Sequence, residues 1–211
     1  LNNALYILMA VFIIYTASVR ENFLTLGSFA NLITQVAAYL PMALGIAGTI
    51  VLTGTDLSAG RVSGLTAAFA AVMLQKADFA NKMFAMLPEV TIGWILVVML
   101  GVILIGAVIG LVNGYFVAKF SLHPFIVTLS TQLITYGIIL WFFGLNGNNG
   151  QPFSGLDKQY KEFVGGEMFR LGGVAIPWYV LYAVILVIVM WFIWNKTAFG
   201  KNMFAVGSNA E

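Results

Sequence analysis

Residues 91–118 read TIGWILVVMLGVILIGAVIGLVNGYFVA, a run without one Asp, Glu, Lys or Arg. A helix needs about 20 apolar residues to cross about 30 Å of hydrocarbon, and with no water to satisfy its backbone, a lone run of this kind must be helical. It is apolar on every side, so it faces lipid or other helices all round. Lys119 closes it. On the C-terminal side, His123 and Pro124 open a second span at 124–143. A Gly-, Asn- and Lys/Glu-rich excursion follows over 144–173, and then a third span at 177–194. On the N-terminal side lie three more apolar segments, 4–19, 29–53 and 62–75, with a charged and therefore solvated linker at 76–89. The expectation is about six hydrophobic segments in an all-α, polytopic transmembrane bundle. The first is the short remainder of a cut helix, and it lacks the basic leader of a signal peptide. Pro41, Gly45 and Gly48 predict a kink or break in the second. Segment 62–75 is either a half-span or a continuation of the second through residues 54–61, so at least one helix is broken or re-entrant.

Composition agrees with that reading. Of 211 residues, 61% are hydrophobic and 9% charged, and the mean hydropathy is +0.95. An average soluble domain carries about 25% charged residues, so this chain cannot cover a water-facing surface. That excludes a soluble enzyme or nucleic-acid module. The formal charge of +2 also offers too little to bind a phosphate backbone. Without Cys and with one His, disulfide frameworks, zinc sites and Cys nucleophiles are not expected. No H-E-x-x-H, G-x-S-x-G or intramembrane carboxylate pair is present. The segment from Asn195 to Asn202 approaches a phosphate loop but has Asn at the first Gly position and at the magnesium-binding Ser/Thr position. No catalytic group, metal or cofactor is predicted. Orientation stays open, because Arg61, Lys119, Lys196 and Lys201 face Arg20, Lys76 and Lys82 across the two sides, too even a division to decide it.

A few polar residues stand out against this background. Asp56 and Arg61 lie between two hydrophobic runs, where an ionisable group costs about 2.5 to 3.5 kcal/mol on insertion scales. Asp56 reads either as a helix N-cap favoured by the dipole or as part of a broken helix lining a polar cavity. Gly106, Gly110 and Gly114 form small-xxx-small steps that favour close helix packing. Asn113 beside them either bonds across helices or faces a path. Thr128, Ser130, Thr131 and Thr135 fit back-bonding to the carbonyl one turn earlier, whereas Gln132 demands an interhelical partner or a polar passage. His123 reads as a helix-opening residue. After the last span, Phe199, Met203, Phe204 and Val206 interleave with polar residues, as in a short interfacial helix that seats in a partner's groove or lies on lipid.

Three stretches carry a resemblance: Gly45 to Arg61 (GIAGTIVLTGTDLSAGR), His123 to Ser130 (HPFIVTLS) and Phe199 to Asn209 (FGKNMFAVGSN). In order and spacing they resemble the membrane subunits of bacterial monosaccharide ABC importers, the ribose, xylose and galactoside permease group, with the galactoside branch nearest. The resemblance covers essentially the whole chain and implies that 1–211 is the N-terminal part of a longer permease domain in the bacterial inner membrane. It implies import of galactose or a methyl galactoside, a homodimer of permeases in lipid, a periplasmic sugar-binding protein and a separate cytoplasmic ATP-binding subunit that does the hydrolysis. Residues 195–211 would be the cytoplasmic docking loop for that ATPase, through Phe199, Gly200, Lys201, Asn202, Phe204, Ala205, Gly207 and Asn209. Thr53, Asp56, Ser58, Asn113 and Gln132 would flank the substrate pathway. The competing expectation is an ion-coupled secondary transporter of a small neutral solute, which also uses broken helices and polar groups at mid-membrane.

Overall fold

The computed structural model describes residues 4–208. In order, the elements are α1 (Ala4–Val19), α2 (Leu26–Val51), α3 (Ala59–Met73), α4 (Ile92–Phe120), α5 (Pro124–Phe143), α6 (Lys158–Gly165), β1 (Glu167–Leu171), β2 (Val174–Pro177), α7 (Trp178–Lys196) and α8 (Ala198–Ser208). The fold is a helical bundle, as expected; among the described residues four helices, α2, α4, α5 and α7, are long and apolar enough to cross a membrane, and α1 and α3 are shorter apolar helices. With 16 residues in α1 and 15 in α3, those two reach about 24 and 22 Å at 1.5 Å per residue. Neither spans 30 Å upright.

Local chemistry sets the ends. Thr25 caps α2 by accepting the Ser28 N–H, and the helix then runs unbroken through Pro41, Gly45 and Gly48 to Val51. The expected interruption falls later. Thr53 N–H donates to the Ile50 carbonyl and Gly54 N–H to that of Thr49, both at 2.9 Å, the paired bonds of a Schellman ending. The left-handed position in it is taken by Thr53, at φ 57, where glycine is usual. Segment 52–58 is thus an irregular crossover, and α3 starts afresh at Ala59. Thr91 caps α4 through the Trp94 N–H. His123 Nδ1 accepts the Phe125 N–H with Pro124 in the first turn of α5, the helix-opening role foreseen for it.

α3 packs against α4 and α5, α2 against α7, and α8 folds back on α7. One end of the bundle carries segments 74–91 and 144–177. The other carries the 52–58 crossover, the α4–α5 turn and α8. At the first end, Leu74, Val90, Ile95 and Val98 form a buried cluster with Phe69, Trp94 and Tyr160 around it, and Trp94 Nε1 donates to the Met73 carbonyl. The 76–89 linker is therefore not simply solvated. Met83 is buried in it, and Gln75 just before it is buried too. The 144–173 excursion holds helix α6 and opens an antiparallel β1–β2 hairpin that runs on to Pro177, neither of which was expected. Gly172 and Gly173, both at positive φ, make its two-residue turn. In this solvated region, a hydrogen bond from Arg170 holds the Glu167 carboxyl below its ordinary range. Burial pushes the Tyr160 phenol up.

Candidate functional site

The crossover between α2 and α3 gathers polar groups from three separate stretches of chain. Asp56 Oδ1 accepts the Ser58 N–H at 2.8 Å and the Ser58 hydroxyl at 2.7 Å. Asn113 Nδ2 of α4 donates to Ser58 Oγ at 3.3 Å, and Thr131 of α5 donates to Asn113 Oδ1 at 2.5 Å. The result is one directional chain, Thr131 to Asn113 to Ser58 to Asp56, that ends on the carboxylate as acceptor. Nearby, Thr128 Oγ1 accepts the Leu57 N–H at 3.2 Å and donates to the Pro124 carbonyl at 2.9 Å. It therefore serves the back-bonding role and ties α5 to the crossover as well. Ser58, Asn113 and Thr128 are buried, so these bonds offset the burial of polar groups that would otherwise be costly.

A cavity of 520 Å³ opens onto this network between α2, α3 and α4, with Thr49, Asp56, Ser58, Ser63, Thr66 and Asn113 on its wall. Gly45, Gly106 and Gly110 line it as well. A Cβ added at Gly106, Gly110 or Gly114 meets nothing within 4 Å. The close helix packing expected of these glycines is thus not made within the described chain. The tight approach on α4 lies one turn or more earlier, at Gly101, whose added Cβ stands 3.3 Å from the Phe69 ring.

Of the five residues placed on the pathway by sequence, Asp56, Ser58 and Asn113 come together here. Thr53 does not join them. It is exposed, and its backbone rather than its side chain does the structural work. Gln132 is half-buried, and its amide makes no hydrogen bond among the described residues, so the structure does not bring it into the cluster. Arg61 is not Asp56's counter-ion; its guanidinium lies over the Tyr136 ring, 4.3 Å from the centroid. Thr131 was missed as a member. Its partner lies in another helix, and a sequence shows only the local alternative of back-bonding. Chemically, the site supplies uncharged donors and acceptors around one carboxylate. Among the described residues no group of three or more His, Asp or Glu side chains stands ready to hold a metal.

At the end nearer the crossover, residues Ala198–Ser208 of the expected docking segment form helix α8. Thr197 Oγ1 accepts the Gly200 N–H and Gly200 and Met203 are buried. Phe199, Lys201, Asn202, Phe204 and Ala205 are exposed. Two members of the expected docking set face inward: a Cβ on Gly200 would strike the Trp194 carbonyl, and one on Gly207 the carbonyl of Val51, the last residue of α2. Asn209 lies outside the described residues.

A family model described as "Branched-chain amino acid transport system / permease component" matches residues 28–211. The galactose/methyl galactoside import permease protein MglC of Haemophilus influenzae is 40% identical over 209 residues, 99% of this chain and 60% of the relative. The Escherichia coli protein of the same name is 42% identical over 207 residues, 98% of this chain and 60% of the relative. The D-allose transport system permease protein AlsC of Escherichia coli is 29% identical over 205 residues, 97% of this chain and 55% of the relative. The chain thus spans about 60% of the length of the galactoside relatives it matches. No solved structure matches it.

Proposed function

Because the chain belongs to the branched-chain amino acid transport system / permease component family, we propose that it serves as the membrane-spanning part of an ATP-driven monosaccharide importer, with galactose or a methyl galactoside as solute. The observation that carries this reading is the likeness of 40 to 42% to galactose/methyl galactoside permeases along virtually the whole chain. The solute would arrive from a periplasmic binding protein and pass two copies of the permease in the inner membrane. A separate cytoplasmic ATPase would seat on the exposed face of α8.

The cavity beside Asp56, Ser58 and Asn113 is the proposed passage. Its wall mixes hydroxyl and amide groups with small residues and with larger apolar ones such as Met42, Ile46 and Ile103, so a sugar finds hydrogen bonds there without being held tightly. Among the described residues Asp56 is the one charge on it, and it is already engaged by Ser58. The hydrogen-bonded chain fixes the positions of α3, α4 and α5 around the cavity, so any tilt of one helix alters the opening. Gln132 and Thr53 remain proposed as flanking groups, Gln132 as an amide on the α5 surface and Thr53 as the backbone pivot of the crossover.

Reconstitution tests the reading. The full-length permease, placed in proteoliposomes with its binding protein and ATPase, is expected to accumulate labelled galactose on ATP hydrolysis and to ignore imposed sodium or proton gradients. Uptake driven by such a gradient without the ATPase would instead establish an ion-coupled carrier.

A further inference from the structure

We infer that the pocket between segments 75–83 and 146–154, at the end of the bundle opposite α8, binds a neutral polyhydroxylated small molecule, a monosaccharide. The inference rests on the function proposed above and adds a second place where the solute is held, away from the cavity at the crossover.

The pocket has a volume of 520 Å³, inside the range of about 300 to 1,000 Å³ typical of small-molecule sites. Six amide side chains border it: Gln75, Asn81, Asn146, Asn148, Asn149 and Gln151. Three of them build the walls. Buried Gln75 donates to the Ser154 carbonyl at 3.0 Å and accepts the Met83 N–H at 2.8 Å, Asn146 donates to the Met83 carbonyl at 2.6 Å, and Asn148 donates to the Gln151 carbonyl at 2.6 Å. The two segments are joined further where Lys76 N–H donates to the Gly155 carbonyl at 2.8 Å. Gly155, at φ 76, lies so close on the Phe79 ring that a Cβ would collide with it. Asn81, Asn149 and Gln151 are exposed, and their side-chain amides make no hydrogen bond among the described residues.

The chemistry of this wall selects the ligand. Each amide presents both donors and acceptors, which match hydroxyl groups, themselves donor and acceptor at once. Lys82 is the one charged residue on the wall, and its ammonium is taken by the Leu87 carbonyl at 3.0 Å. Among the described residues no carboxylate lines the pocket, so a cation or an amino-acid zwitterion finds no full set of counter-charges. Phe79 and Phe153 offer the apolar surface on which the C–H face of a sugar ring rests, an arrangement of aromatic wall and few polar groups common to small-molecule sites. Phe153 is itself held by stacking on Phe143, with centroids 4.6 Å apart.

Saturation-transfer NMR on the full-length permease in nanodiscs, without binding protein or ATP, tests this with a panel of neutral hexoses and pentoses that includes galactose. Wild type is expected to transfer saturation to at least one sugar. The double variant Asn81→Leu/Gln151→Leu, which touches none of the hydrogen bonds above, is expected to lower that transfer at least threefold; Leu104→Ala, exposed on α4 and on the wall of neither cavity, is expected to leave it unchanged. Should the double variant fold poorly, the exposed single substitution Asn81→Ala carries the same test. Unchanged transfer in the amide variants overturns the inference, as does transfer to no sugar in wild type. So does a variant that keeps sugar transfer but loses stimulation of ATP hydrolysis by the binding protein, since the pocket would then seat a protein. ATP-driven galactose uptake, measured in parallel, reports on the proposed function alone.

Discussion

Asn113 holds together groups far apart in sequence, accepting from Thr131 and donating to Ser58, which in turn donates to Asp56. Removing it takes the acceptor from the half-buried Thr131 hydroxyl and a donor from buried Ser58, and each lost intramolecular hydrogen bond costs about 0.5 to 1.5 kcal/mol. Asn113→Leu in the full-length permease should lose stability of that order in chemical unfolding and should depress sugar uptake more than it depresses membrane level. Thr53 gives a second prediction at this scale. A β-branched residue at positive φ is strained by about 1 to 3 kcal/mol, so Thr53→Gly should raise the unfolding midpoint while Thr53→Val should not. Much of this residue chemistry was legible in advance. Asp56 and Asn113 stood out because polar groups are expensive in hydrocarbon. The roles of Thr131 and Thr53 were not legible: one depends on a partner in another helix, and the other on a left-handed backbone angle that a β-branched residue seldom adopts.

The helices were read from length and apolar content, and that suffices for α2, α4, α5 and α7. It fails at α3, where a break had to be placed. Proline and glycine inside α2 suggested an interruption near 41–48, yet the helix tolerates all three, and the chain turns only where the Schellman bonds form after Val51. The excursion at 144–173 concealed a hairpin whose signal was present, Gly172-Gly173 between Leu171 and Val174, since paired glycines at positive φ are what a two-residue turn requires. On α4 the glycine stripe pointed to packing, and the cavity lies there instead. Gly106→Val should therefore narrow the cavity and slow uptake with little loss of stability, whereas Gly101→Val, directed at Phe69, should lower stability; thermal unfolding and flux assays on both variants separate the two effects. At α8, Gly207→Ala places a methyl against the Val51 carbonyl and should displace that helix. Its expected signature is weakened recovery of the ATPase in pull-downs with the membrane level maintained.

At the scale of the molecule, the structure connects α8 to the crossover without a gap. Gly207 abuts the last residue of α2, the Schellman turn follows at Thr53 and Gly54, and Asp56 and Ser58 stand at the polar network. A partner that moves α8 would thereby move the floor of the cavity. Scarcity of charge, 9% of residues, fits a passage for an uncharged solute, and the one carboxylate on the cavity wall is already hydrogen-bonded. The central claim is that this cavity is the passage, and the absence of cysteine from the 211 residues makes it directly testable. Ser63→Cys, introduced into an otherwise cysteine-free full-length permease with its partner subunits, is to be labelled with a membrane-impermeant maleimide, with and without sugar and during ATP turnover. The account predicts labelling that galactose slows and ATP turnover alters. Labelling indifferent to both sugar and ATP, in a variant that still transports, would contradict it.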